Sequence, residues 1–288
     1  MLNDPNKLKF ALPSKGRLKE PAIELLHKAG FKFRAKGRNL YSTCTTDDIT
    51  FIFVRTDDIP VLVDSGVVDA GITGSDLVLE REAKVEQVMP LGFGLCRLCV
   101  AVREECDEQN LAFLSGKTVA TSFPRVSERY FSENGVENVR VVEMNGSVEI
   151  MVALGLADAV VDIVETGDSL RDNNLRIFSE IGLYETVMIA GTDLACDERI
   201  IRMRRRIEGI LLATQYSILE YNIKKENLGK AEVLTPGYKS PTVSQLEDKN
   251  WFAVKVMVKK KDVPLVMDNL EKIGATAVFE TEINNCRL

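Results

Sequence analysis

The stretch "LGLADAVVDIVETGDSL", residues 154–170, is the segment on which the fold prediction depends. Its part 154–164 is almost entirely apolar and short enough for one buried strand. Thr166, Gly167 and Ser169 follow, and the pattern then predicts a helix. Glycine lets the backbone approach a ligand, while hydroxyls and the free N–H groups of a new helix can donate to an anion. The segment therefore predicts either an ordinary strand-to-helix turn or an anion-binding loop.

A shorter copy of this pattern, "SGVVDAGITGSDL", occupies residues 65–77. Both copies run from a helix end with Gly, through Asp-Ala and a strand, to Thr-Gly and a capping residue. Asp69 and Asp158 occupy equivalent positions and are interpreted as structural turn acids. Two similar α/β halves, as in two-lobed small-molecule binders, would explain the repetition.

Strands and helices alternate on both sides of these copies, which indicates largely parallel sheets covered by helices. Strands are predicted at residues 8–13, 49–55, 67–74, 91–102, 117–122 and 139–144. One helix is predicted to end at about Ala29, and the next covers residues 57–66 with Asp57 or Asp58 as cap. A further helix is predicted to begin after Ser75 or Asp76 as cap, and another covers residues 124–135.

The C-terminal part has a different pattern. Residues 197–223 have apolar side chains at helical spacing, which predicts one long helix whose arginines form a solvated face. Residues 235–248 are rich in turn formers and are interpreted as a linker. The end of the chain is predicted as strand, helix and strand, with Asp262 capping the helix and Gly274 ending it. Such a small α+β module is commonly regulatory.

Composition excludes several classes of protein. The 288 residues are 45% hydrophobic and 28% charged, the balance of a soluble globular protein. A net charge of −6 argues against a broad nucleic-acid surface. The chain shows neither a membrane-spanning run nor a basic-then-apolar leader, so we expect a cytoplasmic protein without membrane partners.

Cysteine and histidine give no indication of a metal site. The six cysteines are interpreted as reduced thiols. Cys96 and Cys99 lie three residues apart in a predicted strand, so their side chains should point to opposite faces and chelate poorly. His27 is the only histidine, and its helical context indicates a structural residue.

Six motifs in fixed order, together with the tail, resemble the ATP phosphoribosyltransferases, which open histidine biosynthesis. The motifs are "LPSKGRL" (12–18), "VRTDDIPVLVDSGVVDAGITG" (54–74), "GLCRL" (94–98), "GKTVATSFP" (116–124), "MNGSVE" (144–149) and "GLADAVVDIVETGDSL" (155–170). The tail, beginning with "TPGYKSPT" (235–242), resembles the long form of the family, which carries a histidine-sensing domain.

The resemblance implies an α/β fold. It consists of a two-lobed, periplasmic-binding-protein-like catalytic core and a small C-terminal α+β, ferredoxin-like (ACT-like) regulatory domain. We place the first lobe at residues 1–97 with 187–214, the second at 98–186 and the regulatory domain at 215–288. The implied reaction joins N1 of ATP to C1 of phosphoribosyl pyrophosphate and releases pyrophosphate with Mg²⁺. The resemblance also implies inhibition by histidine and a homo-oligomer, a dimer that assembles to a hexamer.

Site residues follow from the same motifs. The phosphoribosyl loop would comprise Asp162, Glu165, Thr166, Gly167, Asp168, Ser169 and Leu170, and Asp162 would also be a weak magnesium ligand, mainly through pyrophosphate. ATP would contact Lys15, Gly16, Arg17 and Asp76. Catalytic roles fall to Arg17, Arg55, Arg97, Glu149 and Asp162. Histidine would contact Ser240, Thr242, Ala275 and Thr276.

Some of these residues have alternative interpretations. Glu165 and Asp168 are unfavourable beside a phosphate dianion unless both side chains turn away. Arg97, between apolar residues of a strand, is expected to contact either a ligand or a salt-bridge partner. Glu149 could simply be a first-turn helix acid.

Two other functions compete with the implied one. A two-lobed ligand-binding sensor would share the architecture without catalysis, but such proteins usually carry an export signal. A phosphoribosyltransferase acting on a free base usually has two adjacent acids before its loop, whereas Asp162 and Glu165 are separated here.

Overall fold

The computed structural model describes residues 4, 6–35 and 39–287. They form two compact units, one of residues up to His27 with Phe31–Ile201, and one of Lys28–Gly30 with the chain from Arg202 onward. The strands and helices of the first unit are β1 Leu8–Pro13, α1 Lys19–Lys28, β2 Tyr41–Thr43, β3 Ile49–Val54, α2 Ile59–Asp64, β4 Ala70–Gly74, α3 Ser75–Glu80, β5 Val85–Pro90, β6 Cys96–Arg103, β7 Thr118–Thr121, α4 Pro124–Glu133, β8 Arg140–Glu143, α5 Glu149–Ala153, β9 Ala159–Val164, α6 Asp168–Asp172, β10 Leu175–Tyr184 and β11 Thr186–Gly191.

The first sheet of this unit has the order β2-β3-β1-β4-β11-β5. Strand β1 is parallel to β3 and β4, whereas β11 is antiparallel to β4 and β5. Because β1, β3 and β4 run the same way, the loops that follow them begin at one edge of the sheet. Open α/β sheets bind their ligands at this edge.

The second sheet has the order β10-β6-β9-β7-β8, with β7 parallel to β8 and β9 and with β6 antiparallel to its two neighbours. Buried Leu98, Val100, Val119 and Val161 pack in its core. The two sheets confirm the predicted two-lobed, periplasmic-binding-protein-like architecture.

The internal repeat has a structural counterpart. Strands β4 and β9, one from each copy, pair in parallel with β1 and β7. Asp69 Oδ2 accepts a hydrogen bond from Lys9 N at 2.6 Å, and Asp158 Oδ2 accepts one from Thr118 N at 2.9 Å. Each acid therefore ties the start of its strand to the neighbouring strand, the structural role expected of it.

The second unit contains most of α7 Glu198–Gln215, followed by β12 Tyr216–Lys224, α8 Leu228–Leu234, β13 Thr242–Gln245, β14 Trp251–Lys259, α9 Val263–Lys272 and β15 Thr276–Glu282. Its strands form an antiparallel sheet in the order β13-β14-β12-β15. This βαββαβ arrangement is the predicted ferredoxin-like fold. Leu219, Tyr221, Val254 and Leu270 lie in its core.

Two predictions for this unit were wrong. The predicted helix over residues 197–223 ends at Gln215, and Tyr216–Lys224 is an inner strand of the sheet. Alternate residues Ser217, Leu219, Tyr221 and Ile223 are buried along it, because one face of the strand packs on the core. The predicted linker over residues 235–248 contains the edge strand β13 and lies inside the unit.

The predicted helix caps also differ from the structure. Asp58 and Asp262 precede α2 and α9, but neither side chain makes a capping hydrogen bond. Gly74, rather than Ser75 or Asp76, is the residue before α3. His27 is exposed, with Nε2 3.2 Å from Phe33 O, and Cys96 and Cys99 are free thiols. Within the described residues, no helix is long and apolar enough to cross a membrane.

Candidate active site

Two loops of the first unit, one from each sheet, bring the central candidate residues together. The loop after β1 carries Lys15, Gly16 and Arg17, and Gly16 has a positive φ of 83°. The loop after β9 begins with Glu165 and turns at Gly167, whose φ is 82°. An ion pair between Arg17 and Glu165 joins the two loops.

Arg17 has three contacts that fix its guanidinium. Nη1 donates to the Glu165 carboxylate and to Gly94 O, which is 3.2 Å away, and Nη2 lies 3.2 Å from the Cys96 Sγ. Cys96 is the first residue of β6, so this arginine contacts the segment entering the second sheet as well as the β9 loop. The guanidinium is thus placed where loops of both lobes converge.

The β9 loop turns its two acids toward arginines. Glu165 pairs with Arg17, and Asp168 pairs with Arg171 three residues later. Thr166 Oγ1 donates to Asp168 Oδ2 at 2.6 Å, and this hydrogen bond, with the Arg171 charge, lowers the pKa of Asp168. Each of the two carboxylates therefore has a positively charged partner while no anion is bound.

Ser169 and Leu170 complete the loop. Ser169 Oγ donates to Glu149 Oε1 at 2.7 Å, which links the loop to the first turn of α5. The Leu170 side chain is buried and packs with Val160 and Val164, so it fixes the start of the short helix α6 beneath the loop.

Asp162 is the most perturbed acid of the site. It lies on β9 opposite Cys99 of β6, and its Oδ1 accepts a hydrogen bond from Ile163 N at 2.8 Å. The pKa of Asp162 is raised to about 6, mainly by burial and also by the nearby Glu149, although the Ile163 N–H acts in the opposite direction. Asp162 and the nearby Glu149 are thus two acids next to the β9 loop.

Asp76 is buried in the first turn of α3, with 2% of its surface exposed. Burial raises its pKa, whereas the N–H of Leu77 and the Arg17 charge lower it. The carboxylate folds back over Gly74, where an added Cβ would lie 2.0 Å from Asp76 Oδ1. Only glycine at position 74 therefore permits this placement. Asp76 then lies close enough to Arg17, another predicted ATP contact, for the arginine charge to act on its carboxylate.

The remaining predicted cations differ from one another. Arg97 pairs with Glu180 of β10 at 3.5 Å, so of its two expected partners the structure shows the salt bridge. Arg55 and Lys15 are exposed at the ends of β3 and β1. Neither makes an ion pair with another residue of the described ranges. Both side chains are therefore available to an anion.

The four predicted histidine contacts fall in the second unit, but the structure does not bring all four together. Ser240 and Thr242 lie at the start of β13, and Ala275 and Thr276 lie at the start of β15. Strands β13 and β15 are the two edges of the four-stranded sheet, about 14 Å apart across three strand spacings. One histidine cannot contact both pairs within a single chain.

Several neighbours of the site were missed from the sequence. Gly94 and Cys96 hold Arg17, and Arg171 holds Asp168. The Asp168–Arg171 spacing of three residues on a helix was a usable signal. Glu80 was missed as well: it is 3% exposed and accepts hydrogen bonds from Arg125 N at 3.2 Å and Val126 N at 3.0 Å, which links α3 of one lobe to α4 of the other.

The site combines two kinds of group. Paired carboxylates can stabilise a developing positive charge, and convergent arginines with loop N–H groups can bind phosphate. Among the described residues, no cluster of three or more His, Cys, Asp or Glu could hold a metal ion. A divalent cation would therefore need ligands from a bound phosphate compound in addition to Asp162 and Glu149.

Comparisons with known proteins agree on one family. The family model for ATP phosphoribosyltransferase matches residues 55–209, and that for the HisG C-terminal domain matches residues 213–285. The ATP phosphoribosyltransferase of Rhodopirellula baltica is 49% identical over 99% of this chain and 96% of its own length. That of Corynebacterium diphtheriae is 40% identical over 98% of this chain and its own full length.

Solved structures give the same relation over 70% of the chain. An ATP phosphoribosyltransferase of the HisG:HisZ complex from Thermotoga maritima is 31% identical, with a TM-score of 0.61, over 70% of this chain and 96% of that chain. The arginine-bound protein Tv2483 is 15% identical, with a TM-score of 0.50, over 70% of this chain and 84% of its own. This second likeness concerns the fold alone.

Proposed function

Because the chain belongs to the ATP phosphoribosyltransferase family, we propose that it transfers the 5-phosphoribosyl group of phosphoribosyl pyrophosphate to N1 of ATP. The bond between C1 of the ribose and the pyrophosphate oxygen breaks, a bond between N1 and C1 forms, and pyrophosphate leaves with the bonding electrons. The product is N1-(5-phosphoribosyl)-ATP, and the reaction is the first step of histidine biosynthesis.

The observation that carries this proposal is the meeting of Arg17 with the β9 loop. In the proposed complex, the backbone of residues 165–170 and the Thr166 and Ser169 hydroxyls bind the 5′-phosphate. Arg17, with Lys15, Arg55 and Arg97, faces the negative charge of the pyrophosphate and of ATP. Positive charge placed where the leaving group develops its charge lowers the barrier to transfer.

The carboxylate pair serves the other half of the reaction. As the bond to pyrophosphate breaks, positive charge develops at C1, and Asp162 and Glu149 lie together beside the loop that binds the phosphoribosyl group. N1 of adenine carries no proton, so attack requires no general base. Asp76, near Arg17, is assigned to the ATP side of the site.

Magnesium fits this arrangement as a companion of pyrophosphate. Mg²⁺ commonly binds through one or two carboxylates plus substrate phosphates, and Asp162 with Glu149 offers that donor set. When bound, the ion would neutralise charge on the leaving group.

Histidine inhibition is assigned to the second unit. Since β13 and β15 are opposite edges of the sheet, a histidine that contacts both predicted segments needs the β13 edge of one chain and the β15 edge of another. The proposed inhibitor site therefore belongs to a homo-oligomer, in agreement with the dimer and hexamer expected from the sequence.

The test is a mixture of the protein with ATP, phosphoribosyl pyrophosphate and Mg²⁺, followed by ultraviolet absorbance and by release of pyrophosphate. We expect both signals to rise together and to require both substrates. Binding of either substrate without product would favour a ligand-binding sensor. Product formation from a free base in place of ATP would favour the other class of phosphoribosyltransferase.

A further inference from the structure

The Arg17–Glu165 ion pair occupies the place that the proposed function gives to substrate. Arg17 comes from the loop after β1, and Glu165 is the first residue after β9. The two side chains are 35% and 49% exposed. Pairs this exposed contribute at most about 1 kcal/mol to folding. The pair is therefore dispensable for stability and accessible to a dissolved anion.

The contacts of Arg17 show which donor a phosphate would compete for. Its Nη2 faces the Cys96 thiol and its Nη1 also faces the carbonyl of Gly94, both neutral groups of the first unit. Glu165 is the charged member of these three contacts, and it uses Nη1. A phosphate oxygen that approaches Nη1 must take the position of the Glu165 carboxylate, because two anions cannot share this donor without strong repulsion.

The rest of the loop shows the same arrangement. The Thr166 hydroxyl donates to Asp168, and the Ser169 hydroxyl donates to Glu149. In the described state, both hydroxyls assigned to the phosphate are thus held by carboxylates of the protein. Glu165 differs from the other two acids because its partner belongs to the other lobe.

We propose that Glu165 is a built-in competitor for the phosphate groups of phosphoribosyl pyrophosphate. It holds Arg17 while the site is empty, is displaced when the substrate or pyrophosphate binds, and returns to Arg17 when pyrophosphate leaves. The Glu165 side chain is then not a ligand of the phosphate groups, and its competition for Arg17 weakens their binding so that pyrophosphate can leave. This inference rests on the proposed function, since it assumes that Arg17 binds phosphate.

The test is the affinity of the full chain for inorganic pyrophosphate, measured by calorimetry, and the KM for phosphoribosyl pyrophosphate. Glu165→Gln keeps the size of the side chain and removes its charge. We expect both constants to fall by about two- to fivefold, the range that an exposed ion pair allows. An unchanged or higher dissociation constant in this variant would overturn the inference.

Two controls separate competition from a general change of charge. Glu82→Gln makes the same charge change at an exposed acid that pairs with Arg125 and Arg129, and it should leave both constants unchanged. In an Arg17→Gln background, Glu165→Gln should give no gain, because the contested donor is gone. An equal gain in either control would also overturn the inference. A wild-type chain that binds no pyrophosphate and forms no product would instead overturn the proposed function.

Discussion

At the scale of single residues, the half-buried Asp162 carboxylate lowers the stability of the fold, and its proposed role explains why an acid occupies this position. Its pKa is raised from 3.8 to about 6, mainly by burial, so the folded state holds an unfavourable carboxylate at neutral pH. Perturbed acids of this kind cluster at functional sites. The same residue should therefore limit stability and support activity.

Asp162→Asn is expected to raise the free energy of unfolding at pH 8 by about 1–3 kcal/mol. The sign follows from the raised folded pKa: between about pH 4 and 6 the folded state binds more protons than the unfolded state, so stability falls as pH rises through this window. Asparagine avoids that loss and keeps the acceptor for Ile163 N. The gain should vanish at pH 4, and kcat should fall about a hundredfold.

Denaturant unfolding at the two pH values checks this prediction. Asp172→Asn, at an exposed position of the adjoining helix α6, is the matched control and should change neither quantity. Equal stability of Asp162→Asn and wild type at pH 8 would contradict the raised pKa.

Arg17 gives the second prediction at this scale. Arg17→Ala should raise the KM for phosphoribosyl pyrophosphate about 10- to 100-fold, since hydrogen bonds to charged groups are worth about 1.5–3 kcal/mol. Its exposed ion pair should contribute less than about 1 kcal/mol to stability. Steady-state kinetics and thermal melting measure the two effects. Arg204→Ala, which removes an exposed arginine paired with Glu208 on α7, should leave KM unchanged. Early melting with normal turnover would make Arg17 structural.

At the scale of elements, the β9 loop depends on one backbone conformation. Gly167 has a φ of 82°, and an added Cβ would meet only Val164 Cγ1 at 3.9 Å, an ordinary contact. Gly167→Val is therefore strained by about 1–2 kcal/mol through its backbone rather than through a clash. We expect the loop to shift, and the KM for phosphoribosyl pyrophosphate to rise at least about tenfold, which corresponds to about 1.4 kcal/mol, while the fold is retained.

The matched control is Gly116→Val, where φ is 73° and an added Cβ has no neighbour within 4 Å. Both variants should lose similar stability in thermal melting, but only the change at Gly167 should alter the KM. A KM that is unchanged at Gly167 would count against the assignment of this loop to phosphate.

Helix α4 gives a second prediction for an element. Its N-terminal N–H groups, those of Arg125 and Val126, donate to the buried carboxylate of Glu80 on α3. Glu80→Ala should therefore lower the free energy of unfolding by about 1–3 kcal/mol, since it leaves buried donors unpaired and removes a favourable charge from the helix end. Glu80→Gln, which can accept through one oxygen, should lie between. Urea unfolding measures the difference, and Glu128→Ala, on the exposed face of α4, should change it by less than about 0.5 kcal/mol.

At the scale of the whole molecule, the chain joins a two-lobed unit that carries the candidate active site to a ferredoxin-like unit that carries the proposed inhibitor contacts. Thr276→Arg should abolish inhibition by histidine and its binding in calorimetry, because Thr276 opens the edge strand β15 where a ligand is expected. Turnover without histidine should persist.

Thr281→Arg places the same side chain at an exposed position of the same strand and should preserve inhibition. Histidine binding that survives Thr276→Arg would remove the β15 edge from the proposed site. Sedimentation with and without histidine tests the second requirement, that two chains meet at the site. A monomer that binds histidine through both segments would contradict the positions of β13 and β15.

Much of this molecule could be predicted from the sequence because the deciding signals are local. Strands β1 and β9 are short apolar runs, and the turns at Gly16 and Gly167 have the positive φ that glycine allows. The β9 loop was located in this way, and so were the two α/β halves of the repeat. Local chemistry was sufficient for these features because each depends on residues within one turn or one strand.

Tertiary structure decided the rest, because the deciding partners are distant in sequence. Residues 216–223 have apolar side chains that fit both helical and strand spacing, and pairing with β14 and β15 on either side makes them a strand. Glu165 meets Arg17 across 148 residues, and Glu80 reaches α4 across 45. Sequence patterns carry no record of such pairings, since the energy that selects them exists only when the chain has folded and brought the partners into contact.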